Sequence, residues 1–353
     1  MLKQYKAQVF LSVFILLLAI VVGCTAQEKT SSESVQKDLS DETIVVEEAP
    51  ALSNLTIQAP MGISIAAPIY KVLEDNELHS LVDEVTFLPW KNPDELRSRI
   101  VSGQAQISAV PTNVAANLYN KGMDVQLINT LVWGMLYMIG PDGEEITFED
   151  LKGKTIHVPF RGDMPDLVFQ YLLQKNSLDL LSDVTIEYVA TPQEVVQLIA
   201  SGKAEYAILP EHTASLAVAK AKKEGQNVKK TMNLQAEWAK VTGKEPRIPQ
   251  AGIIVTGELV RDYPEVIEEL QNQLAQSVQF LNDQPREAAE LLAKYQDGLE
   301  GPIIEKLIPA INLQFVSAQD AREELEFFFT ELATISLDII GGKLPDEGFY
   351  YQK

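Results

Sequence analysis

The chain has 353 residues, enough for two ordinary domains with separate cores, and its 46% apolar and 22% charged residues are those of a globular protein. Against 29 basic side chains stand 50 acidic ones, and the formal charge of −21 gives a field that repels nucleic acid and anionic bilayer surfaces. A single cysteine excludes an intrachain disulfide and a cysteine-based zinc cluster, and His79, His157 and His212 show no metal-ligand spacing. Neither a metal nor a cofactor is expected.

The first 23 residues depart from globular patterning. Lys3 and Lys6 precede an apolar run from Val9 to Val22, followed by Gly23 and Cys24. A basic start, a short apolar stretch and a small residue before a cut describe a signal peptide. The run is shorter than the roughly 20 apolar residues of a membrane span. Its end resembles the lipobox of bacterial lipoproteins, with Val21 where Leu is usual, and the resemblance implies that Cys24 is acylated as the mature N-terminus. Cleavage would remove two lysines and no acids, taking the charge from −21 to −23. Residues 24–53, rich in Ser, Glu, Gln, Lys and Asp, bury too little to offset the entropy of ordering and read as a flexible tether.

From Asn54 onward the chain repeats itself. Shifted by 99 residues, positions 55–118 align with 154–217 without a gap, and 15 of the 64 pairs are identical. Among the matches are Pro60 with Pro159, Pro93 with Pro192, Gly103 with Gly202 and Pro111 with Pro210. These residues punctuate structure, so the copies share a layout. Each copy predicts a strand (55–59; 155–159), a helix (65–76; 165–175) and a second strand (85–88; 184–189). Asn92-Pro93 and Thr191-Pro192 open the next helix as N-cap and first helical residue, and Gly103 and Gly202 close it. A third strand (106–110; 206–209) ends at a proline before another helix. Strict alternation predicts α/β architecture with two doubly wound lobes and parallel sheets.

Residues 125–140 and 251–256 read as further strands, and 264–282, 285–295, 302–311 and 318–340 as helices. The predicted organisation is lobe 1 over 54–140, lobe 2 over 141–250, and a return to lobe 1 over 251–353. The chain then crosses twice between lobes, near 140 and near 250.

In open α/β sheets ligands bind beyond the carboxyl ends of the strands, which places a site in a cleft between two such lobes. The repeat identifies the loops that face it. From lobe 1 they bring Met61, Gly62, Ser64, Trp90, Thr112 and Asn113; from lobe 2, Arg161, Gly162, Asp163, Glu211 and His212. Trp133 lies at another strand end. Arg161, before a helix N-terminus, is a candidate for an anionic group. Asp163 is a candidate contact or merely an N-cap. Trp90 and Trp133 offer flat faces to an apolar solute. No Gly-x-Ser-x-Gly elbow and no phosphate-binding glycine loop is present, so nothing points to catalysis.

At this level the chain resembles the nitrate/sulfonate/taurine and thiamine-precursor group of ABC-importer binding proteins, the NMT1/THI5-like or SsuA/TauA-like family. The resemblance rests on the run from Thr147 to Ile156 (TFEDLKGKTI), on Ser201-Gly202-Lys203-Ala204-Glu205-Tyr206-Ala207, and on Tyr263-Pro264-Glu265 with Asn282-Asp283-Gln284-Pro285. It extends to Gly341-Gly342-Lys343-Leu344-Pro345 and the closing Phe349-Tyr350-Tyr351. It implies a type II periplasmic-binding-protein fold and a monomer held to the membrane by its lipid, on the extracytoplasmic face. Such a protein captures a small organic solute for a permease and its ATPase. Sulfonate binders carry small or hydroxyl residues where this chain has Arg161 and Asp163, which argues against a sulfonate. A sensory module reporting to a membrane receptor and a secreted enzyme are the alternative classes.

Overall fold

The computed structural model describes residues 52–143, 145–295 and 299–353; the leader, Cys24 and all but the last two residues of the predicted tether lie outside them. Those last two residues belong instead to the first strand, β1 (Leu52–Pro60), which begins just before the expected start of the body. Then come α1 (Ala67–Asp75), β2 (Val82–Trp90), α2 (Pro93–Val101), β3 (Ile107–Pro111), α3 (Thr112–Asn120) and β4 (Val125–Val132). The next stretch holds β5 (Leu136–Pro141), β6 (Thr155–Pro159), α4 (Met164–Lys175), β7 (Thr185–Val189), α5 (Pro192–Ala200), β8 (Tyr206–Pro210), α6 (Glu211–Lys223), β9 (Val228–Asn233) and α7 (Leu234–Thr242). The chain ends with β10 (Ala251–Thr256), α8 (Gly257–Asp262), α9 (Pro264–Asp283), α10 (Pro285–Leu292), α11 (Gly301–Leu307), β11 (Leu313–Ser317) and α12 (Arg322–Ala333).

The repeat is visible in local chemistry. Asn92 Oδ1 accepts from the amides of Asp94 and Glu95, and Thr191 Oγ1 accepts from that of Glu194. Glu95 and Glu194 each reach back to the amide four residues earlier, at Lys91 and Ala190. Each such cap is worth about 1 kcal/mol. Gly103 and Gly202 both take left-handed backbone, φ +70° and +69°. Strand register repeats as well: Thr56 pairs with Thr86 and Ile57 with Ile107, while Thr155 pairs with Thr185 and Ile156 with Tyr206.

Two sheets form, in the orders β2-β1-β3-β10-β4-β11 and β7-β6-β8-β5-β9. They are mixed rather than parallel, correcting the expectation from alternation alone. In each, three parallel strands from one repeat copy are followed by an antiparallel return strand, β10 or β5. A chain entering a lobe from the other one arrives at the cleft end, so it can only run against the parallel set. Because β5 pairs with β8 and β9, the first crossing falls at 133–135 rather than near 140. The second connection, 243–250, runs from α7 to β10. β11 lies in the gap left between two expected helices, 302–311 and 318–340; it pairs antiparallel with β4 at the sheet edge.

Return strand β10 is wedged between β3 and β4, with a register shift at Ala251–Gly252. There a Cβ on Gly252 would lie 2.0 Å from the Asn129 carbonyl oxygen. Backbone cannot yield as a side chain can, so Gly252→Ala is expected to destabilise the protein by on the order of 3 kcal/mol, seen as a lower urea midpoint. A cap variant such as Thr191→Ala should cost about a third of that.

Candidate functional site

All six repeat-derived parallel strands end on the same side of their sheets, and the helices that follow begin there. Between the two sets of ends lies a cavity of about 370 Å³. Lobe 1 contributes Pro60, Met61, Ser64 and Ile65, with Trp90 at the end of β2 and Lys91 just after it. Lobe 2 contributes Phe160, Asp163, Met164, Thr191, Gln193 and His212. Met135 and Gln250, one from each crossing, form its back.

The crossings are stitched to each other and to the lobes. Gln250 Oε1 accepts from the Met135 amide at 3.0 Å, and the Gln235 side chain accepts from Leu136. The Thr112 amide donates to the Gln250 carbonyl at 3.1 Å, and the Glu211 amide to the Met135 carbonyl at 2.8 Å. These two amides occupy the same place in the two repeat copies. Each begins a helix whose N-terminus faces the cleft, so a donor that could have met an anion is used to fasten the hinge. Six of the lining residues are prolines, at 60, 93, 111, 165, 192 and 210, which end strands or sit in first helical turns and carry no N–H.

Few polar groups remain. Trp90 Nε1 and His212 Nδ1 are buried without a hydrogen-bond partner among the described residues. Burial holds the His212 imidazole down at about 4, so it is uncharged at neutral pH. Asp163 stands at the N-cap position of α4, yet its side chain does not cap the helix. It instead accepts from Arg97 Nη2 of α2 at 2.8 Å, across the cleft. Burial raises the Asp163 carboxyl, while Arg97 pulls it down. Phe160 lines the cavity with left-handed backbone, φ +60°, a strained choice for an aromatic residue and a mark of functional loops.

Of the residues singled out from the sequence, Met61, Ser64, Trp90, Asp163 and His212 line this cavity. The others do not. Arg161 is exposed, with its guanidinium 5.0 Å from the Tyr188 ring centroid, because Phe160 takes the inward place in that loop. Gly162 is exposed, its amide donating to Asp166. Gly62 makes the first turn with φ +98°. Thr112 Oγ1 donates to the Pro249 carbonyl at 2.6 Å, and Asn113 is buried outside the lining. Glu211 is paired with Lys230 at 2.6 Å. Trp133 gives its indole N–H to the Gln314 carbonyl, and Arg247 covers its ring at 4.3 Å, so it braces the first crossing. Sequence reasoning did not single out Phe160, Met135, Met164, Gln250 or Arg97. Arg97 did carry a signal, since the matching position of the second copy is Val196.

Among the described residues no helix is long and apolar enough to cross a membrane, and no group of His, Cys, Asp and Glu side chains is arranged to hold a metal. Over residues 79–298 the chain matches a family model described as ABC transporter, phosphonate, periplasmic substrate-binding protein. It is 28% identical over 127 residues to YtlA of Bacillus subtilis (strain 168), named as a binding protein; the match covers 35% of this chain and 38% of that one. Its fold is similar to an ABC transporter structure from Parabacteroides distasonis, with TM-score 0.67 and 23% identity over 85% of this chain and 99% of that one. It is similar also to the aliphatic sulphonate binding protein SsuA of Escherichia coli (TM-score 0.67, 12% identity, 86% and 93% covered). For the nitrate-binding protein NrtA of Synechocystis PCC 6803 the figures are 0.64, 12%, 83% and 85%. SsuA and NrtA are of the kind the sequence resemblance named, though the family model that matches is the phosphonate one. At these identities the solved structures establish the fold; the family match goes further, and the chain belongs to the periplasmic substrate-binding proteins of ABC transporters, in the phosphonate family.

Proposed function

We propose that the protein captures a small organic solute between its lobes and delivers it to the permease of an ABC importer, whose ATPase drives uptake. The observation that carries this reading is the cavity itself. It sits where two α/β lobes face each other, and it is walled mostly by flat and flexible apolar side chains, with two buried polar atoms that have no partner among the described residues. Such a site binds by enclosing a ligand and orienting it with a few directional groups. Solute that prefers the enclosed form shifts the population of lobes toward closure, and the closed form presents itself to the permease. The lipid on Cys24 would keep a monomeric receptor at the extracytoplasmic face of the membrane. With its acidic charge repelled by anionic lipids, the acyl anchor is the attachment.

A thermal-shift screen of small solutes tests the reading, because a ligand of the folded state raises the melting temperature. Trp90→Phe retains an aromatic ring but removes the indole N–H together with part of the ring face. With the solute so identified, calorimetry should show a loss of about 1 kcal/mol, roughly fivefold. No stabilising solute, or an unchanged affinity in that variant, counts against the site.

His212 adds a pH dependence. Its folded pKa of about 4 lies below the ordinary 6.5, so the unfolded chain takes up the proton first as the pH falls. The stabilisation is therefore complete above pH 6.5 and lost on the way to about 4, by on the order of 3 kcal/mol. Urea midpoints of His212→Asn across that window should fall less steeply than those of the parent.

Cys24→Ser should abolish acylation and move the protein from the membrane fraction to the soluble extracytoplasmic fraction with an unchanged melting temperature. Retention in the membrane after processing speaks against the anchor.

A further inference from the structure

Closure of a binding protein on an oxyanion normally sets solute charge against protein cations and free amides, which together replace the water the anion has lost. Several of the groups that could do so here are already engaged. At the N-termini facing the cleft, the Thr112 and Glu211 amides hold the crossings, and the Gly162 amide donates to Asp166. The amides of Asp94, Glu95 and Glu194 donate to their own caps. Pro93, Pro165 and Pro192 have none to offer. Besides His212, two ionisable side chains line the cavity, Lys91 and Asp163. Lys91 is exposed, where water weakens any ion pair it makes.

Asp163 is the instructive one. Its side chain is 8% exposed and its partner is Arg97, a residue of the opposite lobe, at 2.8 Å. Arg97 is further flanked by Asp94 at 3.8 Å. Thus the guanidinium that touches the cavity-lining Asp163 is matched by the protein itself, and the link across the cleft is a pair in which both partners are protein groups. The cavity wall includes the Trp90 indole with its unpartnered N–H, the uncharged His212, the Phe160 ring and the thioethers of Met61, Met135 and Met164, and its other polar side chains, Ser64, Thr191, Gln193 and Gln250, are uncharged. Thioethers and rings suit a polarisable flat surface.

We infer that the cleft closes on an uncharged, flat, largely apolar solute bearing one hydrogen-bonding head, and that the Arg97–Asp163 pair is the specificity determinant that excludes phosphonates and other oxyanions. This rests on the binding role proposed above and sets the chemical class of what is bound. Trp90 Nε1 donates to an acceptor on the head of the solute, and His212 supplies the second directional contact. An anion in the same place would have to compete with Asp163 for Arg97 and would leave that carboxylate buried and unpaired, at heavy cost.

The full-length protein in mild detergent tests this with matched probes, benzamide against phenylphosphonate and benzenesulfonate, read by calorimetry and by the fluorescence of the cavity-lining Trp90. The parent should prefer benzamide by at least about tenfold. Asp163→Asn, which releases Arg97, should strengthen phenylphosphonate binding by about tenfold or more and reverse the ranking. The double variant Arg97→Gln/Asp163→Asn, carrying neither charge, should return benzamide to first place, separating a freed cation from a loosened cleft. Melting curves of all three establish that they fold. A parent that binds phenylphosphonate as tightly as benzamide overturns the inference. So does an Asp163→Asn variant with unchanged phosphonate affinity, and so does a parent that binds none of the probes at millimolar concentration. In that last case the transport reading still stands or falls on the wider solute screen.

Discussion

Leu136–Pro141 and Ala251–Thr256 each enter the middle of a sheet against the direction of the strands beside them, and both reach it through a short crossing. Backbone hydrogen bonds on both sides of each strand leave the lobes little freedom to slide, because a one-residue slip would turn the strand inside out. The crossings are in turn joined by the Gln250–Met135 bond. The carboxyl ends of two sets of parallel strands are therefore held opposite one another, and the position of the cavity follows from that alone. The chemistry of its walls follows too. Fastening the crossings consumes helix-start amides, and proline-terminated strands remove others, so the enclosed space is apolar for architectural reasons.

A third connection is made by the C-terminal segment. Helix α12 follows an edge strand of the first sheet but packs on the second lobe, where Phe328 meets Trp238 edge-on and Tyr171 donates to Glu331. Lys175 adds an ion pair to the same carboxylate. Motion of the lobes must turn about the crossings while keeping, or breaking, this contact, none of whose residues lines the cavity. The Arg97–Asp163 pair joins the lobes at a second place, from a cavity-lining carboxylate.

Much of this was legible before any coordinates. The repeat exposed strands, caps and turns because glycine, proline and Asn or Thr caps act through their own backbone neighbourhood, and Asn92, Thr191, Gly103 and Gly202 each did so. Elements defined by a distant partner were harder to read. Leu313–Ser317 is a strand because β4 offers it an edge, and the segment is too short to announce itself by alternation. β5 carries an apolar run like that of β4, so periodicity could not show that the two belong to different sheets. Within the site, loop membership was readable and side-chain direction was not. Phe160 and Arg161 are neighbours, and a single left-handed φ decides which of them faces the cavity. Arg97 illustrates the same limit from the other side, since a helical residue reaches the site only once two lobes are set face to face.

The return strands also impose a timetable. All five strands of the second sheet lie within residues 136–233, so it can be completed from one continuous stretch of chain. The first sheet cannot. Its central position, between β3 and β4, stays open until residues 251–256 arrive, and its edge until β11 follows. For a chain made from its N-terminus, the lobe that is first in sequence is the last to finish, and it waits with two unpaired strand edges exposed. During that interval the first lobe is the aggregation-prone part of the molecule, and anything that delays β10 prolongs the exposure.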